Sequence, residues 1–203
     1  LFPYTTLFRS INETIELTYT TNLSTLKGYK DKDLIEYWKK FPKLQIWASL
    51  DAFGDVAECI RKGTDWQQTV ENRERMMKEV PHVDFYVSST VSSMNVLHVL
   101  DFHKEWTRLG LVKAKDWNVN ICQSPEWYRA DIFPAWFKKE VITPAYDEHI
   151  AWLEPQDSLR RATTGFQSML SFINNNNGEQ YWNRFVEETG KLDTVRNEDF
   201  WNT

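Results

Sequence analysis

Ser49 and Asp51 are the residues of this chain best placed to do chemistry. Two apart in a strand, they share a face while Leu50 takes the other. A hydroxyl beside a carboxylate at a strand end can hold the two hydroxyls of a ribose, because the carboxylate accepts from both. The residues alone leave a second reading open, in which Asp51 caps the turn that follows.

The same kind of polar cluster recurs. Short apolar runs end in Thr20-Thr21-Asn22, Ser49-Leu50-Asp51, Ser88-Ser89-Thr90 and Asn118-Val119-Asn120, and helix-like sequence follows the first three. Successive clusters lie roughly 30–40 residues apart, and a strand, loop, helix and return need about 30. The layout predicts parallel strands over 16–20, 44–49, 83–90 and 119–122, with ligand-holding groups where the strands run out into loops.

Helices are expected between them. Leu34, Ile35, Trp38 and Phe41 share one face of a segment over 31–41 that Pro42 stops. Thr64 with Gln67 reads as a capping box opening a helix that reaches Val80. A third helix is expected over 101–109, with Gly110 as its C-terminal cap. Beyond Pro125 the strand signal fades, and 132–153, 158–173 and 179–192 read as helices, with Pro144 ending or kinking the first. The fold class is α/β: a partial (β/α) barrel over 11–125 with a helical C-terminal extension over 126–203. Residues 1–10 match the translation of a common short-read sequencing adapter, so they are set aside from the fold and the chain reads as a fragment.

Composition narrows the function. A net charge of -5 argues against bulk nucleic-acid binding, which needs a basic surface. The longest apolar runs fall far short of a bilayer span, and the chain reads as cytoplasmic. Cys59 and Cys122 belong to no C-x-x-C pair and read as two structural thiols in a reducing compartment. Most of the ten Trp recur at helical spacing beside other apolar residues, which predicts burial. No metal site is expected: His98 and His103 are not spaced for one helix face, and His82 and His149 have no sequence-near partner. Paired barrel-mouth carboxylates for glycoside hydrolysis are missing, as is the G-x-x-x-x-G-K of a P-loop.

Thr20-Thr21-Asn22, then Ala48-Ser49-Leu50-Asp51-Ala52, then Ile60-Arg61-Lys62-Gly63 ahead of a helix resembles radical S-adenosylmethionine enzymes, in particular the branch with SPASM or twitch extensions. A strand like Phe85 to Val91 closing on an Asn such as Asn95 adds to the resemblance, which covers about Ile15 to Gln123. It implies the second half of a six-stranded partial barrel. It assigns Ser49 and Asp51 to the ribose of S-adenosylmethionine, and Arg61 to the cofactor carboxylate or to holding the loop. Thr21, Asn22, Ser89 and Thr90 would line the cofactor's amino-acid end and the substrate space, with Asn120 and Gln123 near the adenine. The parent would use a [4Fe-4S] cluster, an electron donor and a small-molecule or peptide substrate.

This chain departs from that pattern in three respects. The C-x-x-x-C-x-x-C motif whose thiolates hold the cluster is absent, as is the G-G-E-like segment, and no Cys follows Cys122. The fragment alone is therefore expected to be inactive. The alternative reading is a degenerate β/α-barrel module used for binding or as a scaffold, without catalysis.

Overall fold

The computed structural model describes residues 14–202 and places four parallel strands in one sheet. They are β1 (Glu16–Thr21), β2 (Lys43–Ala48), β3 (Asp84–Val91) and β4 (Trp117–Ile121), in spatial order β1-β2-β3-β4. Register is set by pairs such as Leu17 with Leu44, Ile46 with Phe85, and Val87 with Trp117. The adapter-like residues 1–10 lie outside the described residues.

Strict alternation decides which face is covered. Leu44, Ile46 and Ala48 on β2, and Phe85, Val87 and Val91 on β3, are buried under the helices. Their neighbours Gln45, Trp47, Tyr86, Ser88 and Thr90 are half-buried, while Thr18, Thr20, Asn118 and Asn120 are exposed. One face of the sheet thus carries the core and the other is polar, with two aromatic rings set in it. Such a sheet reads H-P-H-P rather than as the continuous apolar run of a strand buried on both faces.

The helices are α1 (Leu34–Trp38), α2 (Gly54–Ile60), α3 (Trp66–Glu79), α4 (His98–Arg108), α5 (Thr143–Leu153), α6 (Arg161–Asn175) and α7 (Trp182–Arg196). Several boundaries differ from expectation. α1 is only five residues long, capped by Asp33, whose side chain accepts from Ile35 N. Asp65, not Thr64, caps α3, accepting from Gln68 N at 2.9 Å. α4 starts at His98 and closes, as expected, on Gly110 at φ 71°, a conformation that favours glycine. α2 was not foreseen.

The stretch predicted as one helix over 132–153 begins at Ala135–Phe137, widens into a π-helical turn at Lys138–Ile142 and continues as α5. Pro144 sits in the first turn of α5, directly after the π-helical turn that interrupts the stretch. Proline has no N–H for the carbonyl four residues back, and its ring crowds that carbonyl, so the turn before it opens. α6 is anchored by buried Asp157, whose carboxylate accepts from Arg161 N, Thr163 N and the Thr163 hydroxyl at 2.9–3.1 Å.

The C-terminal helices share the sheet's core. Trp38, Phe102, Trp106, Tyr146 and Phe166 belong to one cluster with the covered face of the strands. Between α4 and α5 two buried imidazoles meet, His103 Nδ1 to His149 Nε2 at 3.0 Å, while His103 Nε2 bonds the Ala114 carbonyl at 2.8 Å. That carbonyl can only accept, so Nε2 of His103 carries the proton and its Nδ1 receives the N–H of His149. The other nitrogen of His149 is left buried without a partner.

α7 reaches back across the molecule. Phe185 packs edge-on against Tyr128 in the segment after β4, and Arg196 Nη1 donates to the Cys59 carbonyl at the end of α2. Lys62 and Glu198 form an ion pair beside it.

Candidate functional site

Asp51 lies just past β2, and its carboxylate ties together three pieces of chain. Oδ2 accepts from Arg61 Nε at 2.7 Å, and Oδ1 accepts from the backbone N–H of Thr90 at 2.8 Å. Asn95 closes the arrangement, its Nδ2 donating to the Asp51 carbonyl at 2.7 Å and to the Thr90 carbonyl at 3.0 Å. Asn95 Oδ1 in turn accepts from Ser92 N. The ends of β2 and β3 are thereby locked to each other and to the turn after α2.

The turn-capping reading of Asp51 is too local: its partners lie 10 and 39 residues away. Charge-assisted bonds of this kind, to a carboxylate that is only 9% exposed, are among the stronger ones in proteins. Arg61 uses only its Nε for the clamp, and among the described residues its two amino groups have no hydrogen-bond partner.

Asn22, Ser49, Asp51 and Arg61 line one cleft at the C-terminal ends of the strands. Of the residues singled out in the sequence, these four come together. The cleft is narrow, with a cavity of about 10 Å³, room for about one water molecule. Ser49 makes no side-chain hydrogen bond among the described residues and points to the polar face of the sheet, as Gln45 and Trp47 do. Asn22 folds back on its own turn, its Oδ1 accepting from Ser24 N and the Ser24 hydroxyl.

Thr21 and Ser89 were expected to face the same space as Ser49, and they do not. The alternation that turns Ser49 outward turns both of them to the helix side. Ser89 is fully buried and donates to the Leu50 carbonyl at 2.6 Å, while the Thr21 hydroxyl accepts from Leu23 N at 3.0 Å. Thr20 and Thr90 hold the corresponding places on the polar face. Thr90 joins the site through its backbone. Asn120 lies apart, donating to the Ser88 hydroxyl at 2.9 Å and the Ser89 carbonyl at 3.4 Å, and Gln123 is exposed beyond it.

Two rings on the polar face belong to no motif of the sequence. Trp47 and Tyr86 stack on adjacent strands, centroids 4.5 Å apart and planes 15° from parallel. Gln45-Ile46-Trp47-Ala48-Ser49 and Tyr86-Val87-Ser88-Ser89-Thr90 each alternate polar or aromatic with small or apolar residues. Reading each strand for its second face would have found the pair.

The thiols are poor nucleophile candidates. Burial, with Asp51 nearby, pushes the Cys122 thiol up from its ordinary value, so little thiolate forms. No disulfide joins Cys122 to Cys59. His98 is spent on structure, stacking on Phe53 and accepting from its N–H at 3.3 Å. Among the described residues no group of three or more His, Cys, Asp or Glu is gathered to hold a metal ion. No helix among them is long and apolar enough to cross a membrane.

Comparison with family models, with curated proteins and with solved structures returns no match.

The fit of the implied cofactors therefore rests on the residues themselves. With only Cys59 and Cys122, the chain has no ligand set for a [4Fe-4S] cluster. A ribose diol suits the free Ser49 hydroxyl and the lone pairs Asp51 has left, but only at the mouth of the cleft. The body of a nucleoside would lie on the polar face, outside the narrow space between Asp51 and Arg61.

Proposed function

We propose that this chain is the cofactor-orienting part of a radical S-adenosylmethionine enzyme, built as a partial β/α barrel whose polar sheet face lines the interior. The observation that carries the reading is the convergence of Ser49, Asp51, Arg61 and Asn22 at the C-terminal ends of parallel strands, where β/α enzymes hold their ligands. Ser49 and Asp51 accept from the ribose hydroxyls, and the unengaged amino groups of Arg61 lie near enough to meet a carboxylate. Asn95 and Thr90 hold Asp51 in place. A cluster that cleaves S-adenosylmethionine would have to be held by residues other than these, and the part played by this chain is to bind and orient the nucleoside.

The test uses Ser49, because its hydroxyl supports nothing else in the fold. Isothermal titration with S-adenosylhomocysteine should detect binding to this chain, and Ser49→Ala should weaken it by about 0.5–1.5 kcal/mol, the worth of one hydrogen bond. Urea stability should stay unchanged. No binding, or equal affinity of the variant, overturns the assignment.

A second reading has one observation in its favour. Both carboxylate oxygens of Asp51 already serve the clamp. That suits a β/α module that binds or scaffolds without catalysis, and it predicts no response to S-adenosylhomocysteine.

A further inference from the structure

Arg73 stands in the middle of α3 with only 7% of its surface exposed. Its Nε donates to the Leu111 carbonyl at 2.8 Å, Nη1 meets the sulfur of Met76 at 3.5 Å, and the guanidinium lies 3.6 Å from the centre of the Phe85 ring. Among the described residues Nη2 has no hydrogen-bond partner, and no carboxylate is within ion-pairing reach. Burial alone acts on the group, drawing its pKa down to about 10, so it keeps its charge at neutral pH. An interior cation without a counter-ion is costly to the fold and asks for a reason.

The same side chain lines a cavity of about 210 Å³ at the N-terminal ends of the strands, the opposite end of the sheet from Ser49. Val80, Val83, Phe85 and Val112 form its apolar walls, and Lys113 and Asp116 stand at it as well. Asp116 does not neutralise Arg73. Burial raises its carboxyl first of all; Lys113, Lys115 and Arg161 act to lower it, and Asp84 adds to the rise.

We propose that this cavity binds a small organic acid, whose carboxylate pairs with Arg73 and whose apolar body lies against Val80, Val83 and Val112. The planar guanidinium is suited to a carboxylate because it donates two parallel N–H bonds. The size agrees: an apolar cavity of about 150 Å³ admits benzene, so a ring or branched chain bearing one carboxylate can enter here. Lys113 adds positive charge, while Asp116 disfavours a second anionic group on the ligand.

Benzoate is the probe, measured by thermal shift and isothermal titration at pH 7.5, with benzyl alcohol, inorganic phosphate and sodium chloride at matched ionic strength. Benzoate should raise the melting temperature in a saturable way, and the three controls should not. Arg73→Met should stay folded, since an apolar group of similar length replaces a buried charge. It should weaken benzoate binding about ten- to a hundredfold. Val112→Phe, which fills the cavity and keeps Arg73, should abolish binding and guards against a folding defect in the first variant. Ser49→Ala should leave benzoate binding unchanged, which separates this site from the one above. The proposal fails if benzoate acts no better than sodium chloride, if phosphate alone matches it, or if Val112→Phe still binds.

Discussion

Replacing His149 with glutamine removes one of two buried imidazoles while leaving a donor for the other. Burial holds His149 down to about 3; Lys104 pushes it the same way and Glu148 opposes. His103 is likewise held well below its ordinary value, by burial first and then by His149. In the unfolded chain both titrate near 6.5. The unfolded state therefore binds more protons below that pH, so stability is at its full value above about pH 7 and falls as pH drops toward 3. Between pH 8 and pH 5 the unfolded His149 gains about 1.5 pH units of protonation that the native ring refuses. At about 1.4 kcal/mol per unit, that is about 2 kcal/mol. Glutamine can still donate its amide to His103 Nδ1, so the variant loses the titration and keeps the contact. Urea unfolding of both proteins at pH 8, 6.5 and 5 measures the difference. The advantage of the natural protein over His149→Gln should shrink by about 2 kcal/mol from pH 8 to pH 5. Parallel stability curves would refute the neutral, buried pair.

Two further substitutions probe the packing. A Cβ on Gly178 would come within 3.0–3.1 Å of the Asp131 carboxylate, which is fully buried and paired with Arg129, so Gly178→Ala should cost about 1–3 kcal/mol in chemical denaturation. Unchanged stability would show that Asp131 can move. Ser89→Ala strips the Leu50 carbonyl of its buried donor and should cost about 1–3 kcal/mol; hydrogen exchange at the Thr90 amide, which Asp51 accepts, should quicken with it.

The four strands were legible in the sequence because each alternates over its whole length and ends in a polar cluster. Helix starts were less so, since Thr64 and Asp65 both make good caps and only the geometry of the turn chooses between them. At the site, Ser49 and Asp51 announced themselves by residue type. The orientation of Thr21 and Ser89 did not, because a shift of one residue along a strand exchanges the two faces. Asp51's partners could not be read either: a bond to Thr90 N depends on the register of β2 against β3. Arg73 reads as an ordinary surface position until α3 is packed against β3. The His103–His149 contact joins residues 46 apart whose spacing suggests nothing.

The spatial order of the strands follows their order in the chain, and this bears on how the protein is made. As β2, β3 and β4 leave the ribosome in turn, each finds one neighbour already in place, so the sheet can be laid down from β1 to β4 during synthesis. The clasp between Arg196 and Cys59 spans 137 residues and cannot close until nearly the whole of α7 has been translated. Loops at the strand ends would thus be held open on a nascent chain and drawn together last, after the layer beneath them has set.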